Sequence, residues 1–585
     1  MEARIGTFLI VALLAGCGQS PDAPPATDST MDVEIDVEVA MRDGVVLRAD
    51  IYRPVGHGPF PVLLYRTPYG KQFAVEYYQA HLKAVERGYA VVLQDVRGRY
   101  ASDGIFEPYR NEGKDGFDTI EWVAQQPWSN GDVGTFGLSY PGAVQWLAAI
   151  ESPPSLKAMA PAMTFSSPRN FFYMNGVFDL SWLPWTYFNI APDARARQDL
   201  PGIRSYEEAA DAWDNVADDY LLHLPLAELP FLRDEAPYYF EWLTHPPEDP
   251  WWDWAEIRGR YSDVDAAVLN MSGWYDEAYG PEGAITNHAG LVESRSGQAM
   301  SHLILGPWKH GVIETGERIV GDIDFGPEAG INYDEVLLRF FDEHLRGQDT
   351  GLAAEPAVRY FVMGANKWQE SNAWPPEYAV AEPWCLATGS LAPCAESESD
   401  TVEPSLFRAD PNNPVTDPYD TFGPHDYRSL ERRADVLTFD SDVLAEDLTV
   451  AGNAIASVFI SCECRDMDLW FRLQDVYPDG RVINLRSPGA EVLRASYRDV
   501  DKGRQLLEPG EVYELPLDYL MLANTFKAGH RIRVQVSASF APHLSRNLQT
   551  GESEHFGAEM QVADITIHHS EPHRSTLTLP TIELQ

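Results

Sequence analysis

The stretch from Asp132 to Trp146 constrains the fold of this chain more than any other. Its sequence, DVGTFGLSYPGAVQW, predicts a short strand, a tight turn carrying Ser139, and a helix. Such a corner is a nucleophile elbow, which lifts a serine hydroxyl above the edge of a sheet. Gly137 stands where a side chain would crowd the turn, and Pro141 suits the first helical turn because its missing N–H costs nothing there. The usual elbow has glycine at the position of Pro141, whereas here the glycine is Gly142, so the rest of the chain must supply partners for Ser139.

Strands and helices alternate around this elbow. Apolar runs predict buried strands, and the stretches between several of them have helical periodicity. This alternation is typical of a sheet with parallel central strands and helices on both faces. We therefore expect an α/β fold, with an α/β-hydrolase core in residues 32–168 and 255–353. The predicted strands are residues 61–65, 89–94, 158–163, 267–272 and 302–305, and the predicted helices include residues 73–87 and 118–126.

The chain has 585 residues, which is too long for one ordinary domain. Residues 169–254 break the α/β pattern with helical segments, many prolines and dense aromatics, so we interpret them as a helical cap inserted in the core. A cap above the sheet edge would shape an acyl pocket. Residues 354–585 consist of short β-like runs separated by turns such as Asp479-Gly480. They predict a C-terminal all-β sandwich of the jelly-roll (galactose-binding-like) type.

The N-terminus has the features of an export signal. Residues 5–15 form an apolar run that is too short to span a bilayer. Leu14-Ala15-Gly16-Cys17 follows and resembles a bacterial lipobox, although an ordinary cleavage site with a chance cysteine is the alternative. We expect residues 1–17 to be a lipoprotein signal peptide and residues 18–31 a flexible tether. The mature protein would then be exported and anchored through lipidated Cys17, in the periplasm or at the cell surface.

The formal charge of −45 excludes some partners. Nucleic acid and anionic membrane would both be repelled, so a lipid anchor is the one membrane contact that we expect. His568-His569 lacks a suitably spaced third ligand, so we expect neither a metal nor a cofactor. The expected partner is a small-molecule ester or amide substrate, and the oligomeric state stays open.

An exported chain can keep disulfides. Cys385 and Cys394 could close a local loop. Cys462 and Cys464 alternate on a predicted strand, where they stand too far apart for an easy bond. Other pairings and free buried thiols remain open.

Two motifs supply candidate partners for Ser139. Gly273-Trp-Tyr-Asp276 follows one predicted strand, and Gly306-Pro-Trp-Lys-His310 follows the next. Because loops at the carboxyl ends of parallel strands gather on one face, both motifs should lie on the edge that carries Ser139. The order Ser, Asp, His is that of an α/β-hydrolase. His310 would take the Ser139 proton, and Asp276 would orient the imidazole.

The oxyanion of a tetrahedral intermediate needs hydrogen-bond donors. The backbone N–H of Tyr140 is one candidate, while Pro141 has no N–H to offer. The turn Arg66-Thr-Pro-Tyr69-Gly70 follows the strand predicted at 61–65 and reaches the same edge. The phenol of Tyr69 could donate from there, although Tyr69 could equally be a core residue.

These motifs together resemble one family. The chain contains, in order, Arg66-Thr-Pro-Tyr69, Gln94-Asp-Val-Arg-Gly-Arg99, Gly137-Leu-Ser-Tyr-Pro-Gly142 and the two motifs that end at Asp276 and His310. Farther on stand Asp475-Val-Tyr-Pro-Asp-Gly480, Leu493-Arg-Ala-Ser-Tyr497 and Asn524-Thr-Phe-Lys-Ala-Gly-His530. The set resembles the family of cocaine esterase, α-amino-acid ester hydrolases, glutaryl-cephalosporanic acid acylases and X-Pro dipeptidyl-peptidases. The resemblance implies an α/β-hydrolase core, a cap, a jelly roll, the triad Ser139–His310–Asp276, and an oxyanion hole formed by the Tyr69 hydroxyl and the Tyr140 N–H.

The substrate is less constrained. Amino-acid ester hydrolases bind the substrate ammonium with carboxylates just beyond the triad acid, but here only Glu277 is acidic, and Arg169 and Asn170 stand where another acid is expected. This favours a general ester or amide hydrolase that forms an acyl-enzyme. An X-Pro dipeptidyl-peptidase, an α-amino-acid ester hydrolase, and a glycan-binding protein with a silent site remain as alternatives. Candidate pocket residues are Phe171, Phe172 and Trp274.

Overall fold

A computed structural model of the protein describes residues 31–295, 300–396, 402–487 and 491–584. The predicted signal peptide, the lipidation site Cys17 and the tether up to residue 30 lie outside the described residues. Within the described ranges, no helix is long and apolar enough to cross a membrane.

The N-terminal part of the described chain is built on a ten-stranded mixed sheet. Neighbouring strands run parallel from Ala90–Asp95 across to Val358–Val362, and antiparallel pairs form both edges. The strand that ends beside Ser139 lies near the middle. Across the sheet the strands are Met31–Ala40, Val46–Pro54, Ala90–Asp95, Phe60–Thr67, Ser129–Leu138, Leu156–Ala162, Ala267–Tyr275, Ser301–Lys309, Val358–Val362 and Lys367–Ser371.

Helices cover both faces of this sheet, which explains the continuous apolar runs of the central strands. Every residue of Ala90–Asp95 and of Ala267–Tyr275 is buried. The main helices are Lys71–Tyr77, Gln79–Glu86, Glu112–Ala124, Tyr140–Ala149, Glu282–Ser294 and Tyr333–Arg346. The α/β architecture predicted from the sequence is confirmed.

The segment predicted as a cap is mainly helical, with one two-stranded ribbon, Tyr173–Met174 paired with Val177–Phe178. Its aromatic side chains form one hydrophobic cluster with core residues such as Trp146, so the cap shares its core with the sheet. The helical pieces are Pro168–Asn170, Trp182–Trp185, Thr186–Ile190, Ala191–Gln198, Tyr206–Trp213, Ala217–Leu221, Leu226–Glu228, Pro237–Trp242 and Pro250–Ala255.

The first sheet extends past the boundary that the sequence suggests at residue 353. Val358–Val362 pairs in parallel with Ser301–Lys309, and Lys367–Ser371 pairs with Val358–Val362. Both strands fall within residues 354–585, which the sequence predicts to be a C-terminal sandwich because helical periodicity is nearly absent there. Their hydrogen bonds place them instead at the edge of the first sheet.

The C-terminal part is all β and contains a second sheet of twelve strands within the described residues. Its hydrophobic core is continuous with Trp274, Tyr275 and the strand Val358–Val362, so the two parts share packed side chains. The strands are Val380–Ala387, Ser390–Pro393, Ser405–Ala409, Leu437–Asp440, Leu448–Cys462, Asp468–Val476, Val482–Asn484, Val492–Arg494, Val512–Phe526, Arg531–Ser537, Ala563–Ile567 and Thr576–Ile582.

Four cysteines of the C-terminal part form two disulfides. Cys385 is bonded to Cys394, closing the local loop that the sequence suggests. Cys462 is bonded to Cys464, with Cα atoms 5.1 Å apart, contrary to the expectation that both lie on one strand. The strand ends at Cys462, and the chain bends over the next three residues, which brings the two sulfur atoms together.

Candidate active site

Ser139 occupies a strained corner between the strand Ser129–Leu138 and the helix Tyr140–Ala149. Its φ is 70°, which a non-glycine residue rarely adopts, and its N–H donates to the carbonyl of Ala162 at 3.0 Å. A Cβ on Gly137 would lie 2.5 Å from Pro141, and one on Gly142 would lie 2.6 Å from the Ala162 carbonyl oxygen. The glycine after Pro141 therefore serves the close approach of this helix to the next strand.

Asp276 and His310 meet at the same sheet edge, as expected from their positions directly after neighbouring parallel strands. His310 Nδ1 lies 2.9 Å from Asp276 Oδ1. The backbone N–H groups of Ala278 and Tyr279 also donate to this oxygen, at 3.0 and 3.2 Å, and fix the carboxylate. The side chain of Asp276 is fully buried and that of His310 is 9% exposed.

Tyr69 joins the site through its hydroxyl group. The Tyr69 hydroxyl lies near Ser139, which acts to lower the pKa of the phenol. It also accepts a hydrogen bond of 3.0 Å from the indole Nε1–H of Trp185, a cap residue. Burial raises the pKa of Tyr69 to about 12, so the phenol keeps its proton at neutral pH. Because Trp185 donates to one lone pair, the proton of Tyr69 is left to donate elsewhere.

Tyr140 begins the helix after the elbow, where a backbone N–H has no acceptor within the helix. Its hydroxyl points away from the elbow and donates to Glu112 Oε1 at 2.9 Å, while accepting from the Tyr109 N–H at 2.9 Å. Glu112 in turn lies 2.9 Å from the guanidinium of Arg66, and both side chains are 3% exposed. This buried ion pair ties the turn of Tyr69 to the start of the helix of Tyr140.

Aromatic side chains form a wall beside Ser139. The Tyr279 hydroxyl lies near Ser139 and shares a hydrogen bond of 3.1 Å with the Tyr109 hydroxyl. The Phe171 ring stacks on the Tyr279 ring with centroids 4.4 Å apart, and the centroids of the Tyr279 and His310 rings are 5.6 Å apart. The Tyr279 ring therefore connects Ser139, the imidazole and the cap.

The three predicted pocket residues lie in different surroundings in the structure. Phe171 belongs to the aromatic wall. Phe172 is fully buried behind it, stacked on Trp182 at 4.6 Å inside the cap. Trp274 is also fully buried, donates to the Phe361 carbonyl at 2.8 Å and packs on Trp374, in the core shared with the C-terminal part. It lies two residues before Asp276 in the strand, and its ring points into that shared core rather than the site.

Carboxylates near His310 set its electrostatics. The His310 backbone N–H donates to Glu277 Oε2 at 3.0 Å. Burial lowers the pKa of His310, but the negative charges of Asp276, Glu277 and Glu314 outweigh this effect and raise its pKa above the usual value. Burial also raises the pKa of Glu277 to about 7.

Arg99 links the core to the cap. It is 1% exposed, and its guanidinium donates to the carbonyls of Pro68, Asn189 and Ile190 at 2.8, 2.7 and 3.1 Å. Pro68 directly precedes Tyr69, and the other two carbonyls belong to the helical turn that follows Trp185. The charged turn around Arg99 is therefore part of the structure that holds Tyr69 and Trp185 together.

Sequence reasoning missed several residues of this site. Trp185 reaches the site only because the cap folds over it. Tyr109 reaches the site only because of the path of the irregular loop that carries it. Glu112 is the first residue of the helix Glu112–Ala124, and no pattern in the neighbouring sequence indicates that it pairs with Arg66. Tyr279 could have been found, since it follows Asp276 within the same loop.

Comparison with known proteins identifies the family. Residues 43–312 match the X-Pro dipeptidyl-peptidase (S15) family, and residues 350–578 match the X-Pro dipeptidyl-peptidase C-terminal non-catalytic domain. The cocaine esterase of Rhodococcus sp. (strain MB1 Bresler) is 34% identical over 595 residues, covering 95% of this chain and 100% of that protein. The chain belongs to the S15 family. The family resemblance inferred from the motifs is confirmed, and the protein is a serine hydrolase.

Solved structures agree on the architecture of this S15 family member. An aminopeptidase from a marine sediment archaeon of the Thaumarchaeota aligns with a TM-score of 0.80 at 24% identity, covering 97% of this chain and 99% of that chain. An α-amino acid ester hydrolase aligns with a TM-score of 0.72 at 24% identity, covering 96% and 100%. These similarities establish the fold. Among the described residues, no group of three or more His, Cys, Asp or Glu side chains could hold a metal ion.

Proposed function

We propose that this serine hydrolase cleaves carboxylic esters through an acyl-enzyme on Ser139. One observation carries the proposal: His310 Nδ1 is hydrogen bonded to a fixed Asp276 carboxylate at the sheet edge where the elbow presents Ser139. That bond leaves His310 Nε2 as the nitrogen that can accept a proton. A strained serine, an imidazole and a buried carboxylate in this chain order are the parts of an α/β-hydrolase triad.

In the proposed reaction, Ser139 Oγ forms a bond to the ester carbonyl carbon, and its proton passes to His310 Nε2. The carbonyl oxygen becomes an oxyanion that accepts hydrogen bonds from the Tyr69 hydroxyl and the Tyr140 N–H. The C–O bond to the alcohol then breaks, and His310 returns the proton to that oxygen. Water then attacks the acyl-serine and gives a proton to His310. The bond from the acyl carbon to Ser139 Oγ breaks, His310 returns the proton to Ser139 Oγ, and the carboxylic acid is released.

The aromatic wall favours an apolar or aromatic acyl group. Phe171, Tyr279 and Tyr109 offer ring surfaces beside Ser139, and flat rings pack well on such surfaces. The name of the 34% identical relative, cocaine esterase, supports an ester rather than a peptide. We therefore expect benzoate-type esters to be better substrates than acetates.

A dipeptidyl-peptidase is the second candidate, because the matched family carries that name. Such an enzyme needs a carboxylate to hold the free amino group of its substrate. Glu277 is the carboxylate next to the triad acid, but its Oε2 already accepts from the His310 N–H, and because burial raises its pKa to about 7, about half of it is uncharged in neutral solution. This weakens it as an ammonium anchor and supports the esterase.

Fluorophosphonate labelling followed by peptide mass mapping tests the nucleophile. We expect one adduct on the peptide that contains Ser139, lost in Ser139→Ala and kept in Ser294→Ala, an exposed serine at a helix end. Turnover of p-nitrophenyl benzoate, p-nitrophenyl acetate and an Xaa-Pro-anilide tests the substrate class. An adduct elsewhere would exclude Ser139. Faster anilide cleavage would favour the peptidase, and an absence of all turnover would favour a glycan-binding protein with a silent site.

We also propose that the chain is exported and anchored through Cys17, on the lipobox-like sequence alone. Metabolic labelling with an alkyne fatty acid should mark the wild-type protein and not Cys17→Ser. A labelled Cys17→Ser protein would contradict the anchor.

A further inference from the structure

The loop of the triad acid is in contact with the C-terminal part of the chain. Tyr275 ends the strand Ala267–Tyr275 and directly precedes Asp276. The hydroxyl of Ser487, in the C-terminal part, donates a hydrogen bond of 2.7 Å to the Tyr275 carbonyl. Ser487 is 6% exposed, so this contact is shielded from water. A buried donor with no role in the proposed reaction thus reaches the residue next to Asp276.

The carbonyl that Ser487 contacts belongs to the peptide group that joins Tyr275 to Asp276. A peptide group is planar, so its C=O and N–H move as one rigid unit. Ser487 holds the C=O side of this unit, and on the other side the Asp276 N–H donates to the Gly273 carbonyl at 3.3 Å. The two contacts together fix the plane from which the Asp276 side chain departs, and the Ser487 contact is the shorter one.

The Tyr275 side chain makes a second contact with the same segment of the C-terminal part. Its hydroxyl donates to the Asn484 carbonyl at 2.9 Å, and Tyr275 is 1% exposed. Burial raises the pKa of this phenol well above its usual value, so it remains a donor at neutral pH. The main chain and the side chain of Tyr275 are therefore both held by residues 484–487.

The segment that carries Ser487 is itself firmly attached. Asn484, three residues earlier, ends a strand of the C-terminal sheet. Its side-chain amide donates to the carbonyls of Gly423 and Arg486 at 3.0 and 2.8 Å and accepts from the His425 N–H at 2.7 Å. Both N–H groups and the oxygen of this buried amide are thus used. A donor on a segment fixed in this way can restrain the loop that it contacts.

We propose that Ser487 is a positioning residue for Asp276, so that the C-terminal part of the chain takes part in catalysis. Holding the Tyr275–Asp276 peptide group keeps Asp276 Oδ1 at 2.9 Å from His310 Nδ1, where the carboxylate orients the imidazole. Ser487 lies within residues 350–578, which match a domain whose name calls it non-catalytic. The inference rests on the proposed function, because it needs Asp276 to serve His310.

Hydrolysis of p-nitrophenyl benzoate by Ser487→Ala tests this role. The variant loses one neutral hydrogen bond, and we expect kcat to fall about two- to tenfold. KM should stay close to wild type, because the alignment of Asp276 matters most when the imidazole gains its charge in the transition state. Ser575→Ala is the matched control. This buried serine of the C-terminal part donates to the His568 carbonyl at the same 2.7 Å, and its loss should leave kcat unchanged.

Two further readouts separate positioning from stability. Burial lowers the pKa of His310 and three carboxylates raise it, of which Glu277 and Glu314 are unaltered in Ser487→Ala. A displaced Asp276 would raise that pKa less, so the acid limb of the kcat/KM profile should move to lower pH. In an Asp276→Asn background, Ser487→Ala should have little further effect on kcat, because the carboxylate that it positions is gone.

The inference is overturned if folded Ser487→Ala keeps the wild-type kcat and pH profile, if its loss is equally large in Asp276→Asn, or if Ser575→Ala loses as much. A melting transition well above the assay temperature shows that a variant is folded. If Ser487→Ala does not fold, Tyr275→Phe decides, because loss of the second contact should lower kcat in the same way and an unchanged kcat would overturn the inference. A wild-type fluorophosphonate adduct away from Ser139 would instead refute the proposed function, and this inference with it.

Discussion

The contact between the cap and the proposed oxyanion hole can be tested at a single hydrogen bond. Trp185 Nε1 donates to the Tyr69 hydroxyl at 3.0 Å, and the Trp185 ring lies parallel to the Tyr140 ring with centroids 6.3 Å apart. Trp185→Phe removes the N–H while keeping an aromatic ring over Tyr140. Without this donor the Tyr69 hydroxyl can rotate, and its proton is no longer directed at the developing oxyanion.

The size of this effect follows from the bond that is lost. A neutral hydrogen bond contributes about 0.5–1.5 kcal/mol, which corresponds to a fall in kcat of up to about tenfold. Tyr69→Phe removes the oxyanion donor itself and should cost about a hundredfold or more. Because Trp185 acts through Tyr69, Trp185→Phe should have little further effect in a Tyr69→Phe background.

The assay is a double-mutant cycle on p-nitrophenyl benzoate hydrolysis, with kcat and KM measured for all four proteins. We expect the loss in Trp185→Phe to appear in kcat, with KM close to wild type, since the interaction is made mainly in the transition state. Equal losses in both backgrounds, or a loss confined to KM, would refute the view that Trp185 positions Tyr69 and would make it a substrate-pocket residue instead.

Three further predictions concern the surroundings of Ser139. Glu277→Gln removes a carboxylate whose charge raises the His310 pKa, so the acid limb of the kcat/KM profile, where the imidazole becomes protonated, should move to lower pH; the exposed Glu317→Gln should leave the profile unchanged. Glu112→Gln leaves the buried Arg66 guanidinium without an anion and should lower the free energy of unfolding, measured by urea denaturation, by about 3–5 kcal/mol. A loss below about 1 kcal/mol would contradict this role of the ion pair. Phe171→Ala should lower kcat/KM for the benzoate ester about tenfold relative to the acetate, and an equal loss on both esters would place Phe171 outside the acyl pocket.

The sheet and the meeting of Asp276 with His310 were predictable because they depend on local order. Each residue follows a buried strand, and parallel strands bring their carboxyl ends to one edge. The prediction that Trp274 lines the substrate pocket was wrong, because nearness to Asp276 in sequence says nothing about which side of the strand the ring faces. The side that the ring faces is decided by the core shared with the C-terminal part. That core is formed by contacts with residues such as Phe361 that are distant in sequence.

Other features depended on tertiary contacts that carry no local signal. Glu112 and Arg66 are 46 residues apart, and a Glu at a helix start normally faces solvent. The strand Val358–Val362 has the same apolar pattern as the strands of the C-terminal sheet, so its membership of the first sheet could be known only from its pairing with Ser301–Lys309. The Cys462–Cys464 bond could not be predicted, because it depends on the strand Leu448–Cys462 ending at Cys462.

The buried guanidinium of Arg99 has a consequence for how substrate reaches Ser139. Lifting the cap would break its hydrogen bonds to the Asn189 and Ile190 carbonyls and leave a desolvated cation behind. At about 1.5–3 kcal/mol for each bond to a charged group, the raised form would be populated by well under one molecule in a hundred. The cap is then a fixed wall, and a substrate has to reach Ser139 without the cap being raised. Turnover would then be free of any gating step by the cap.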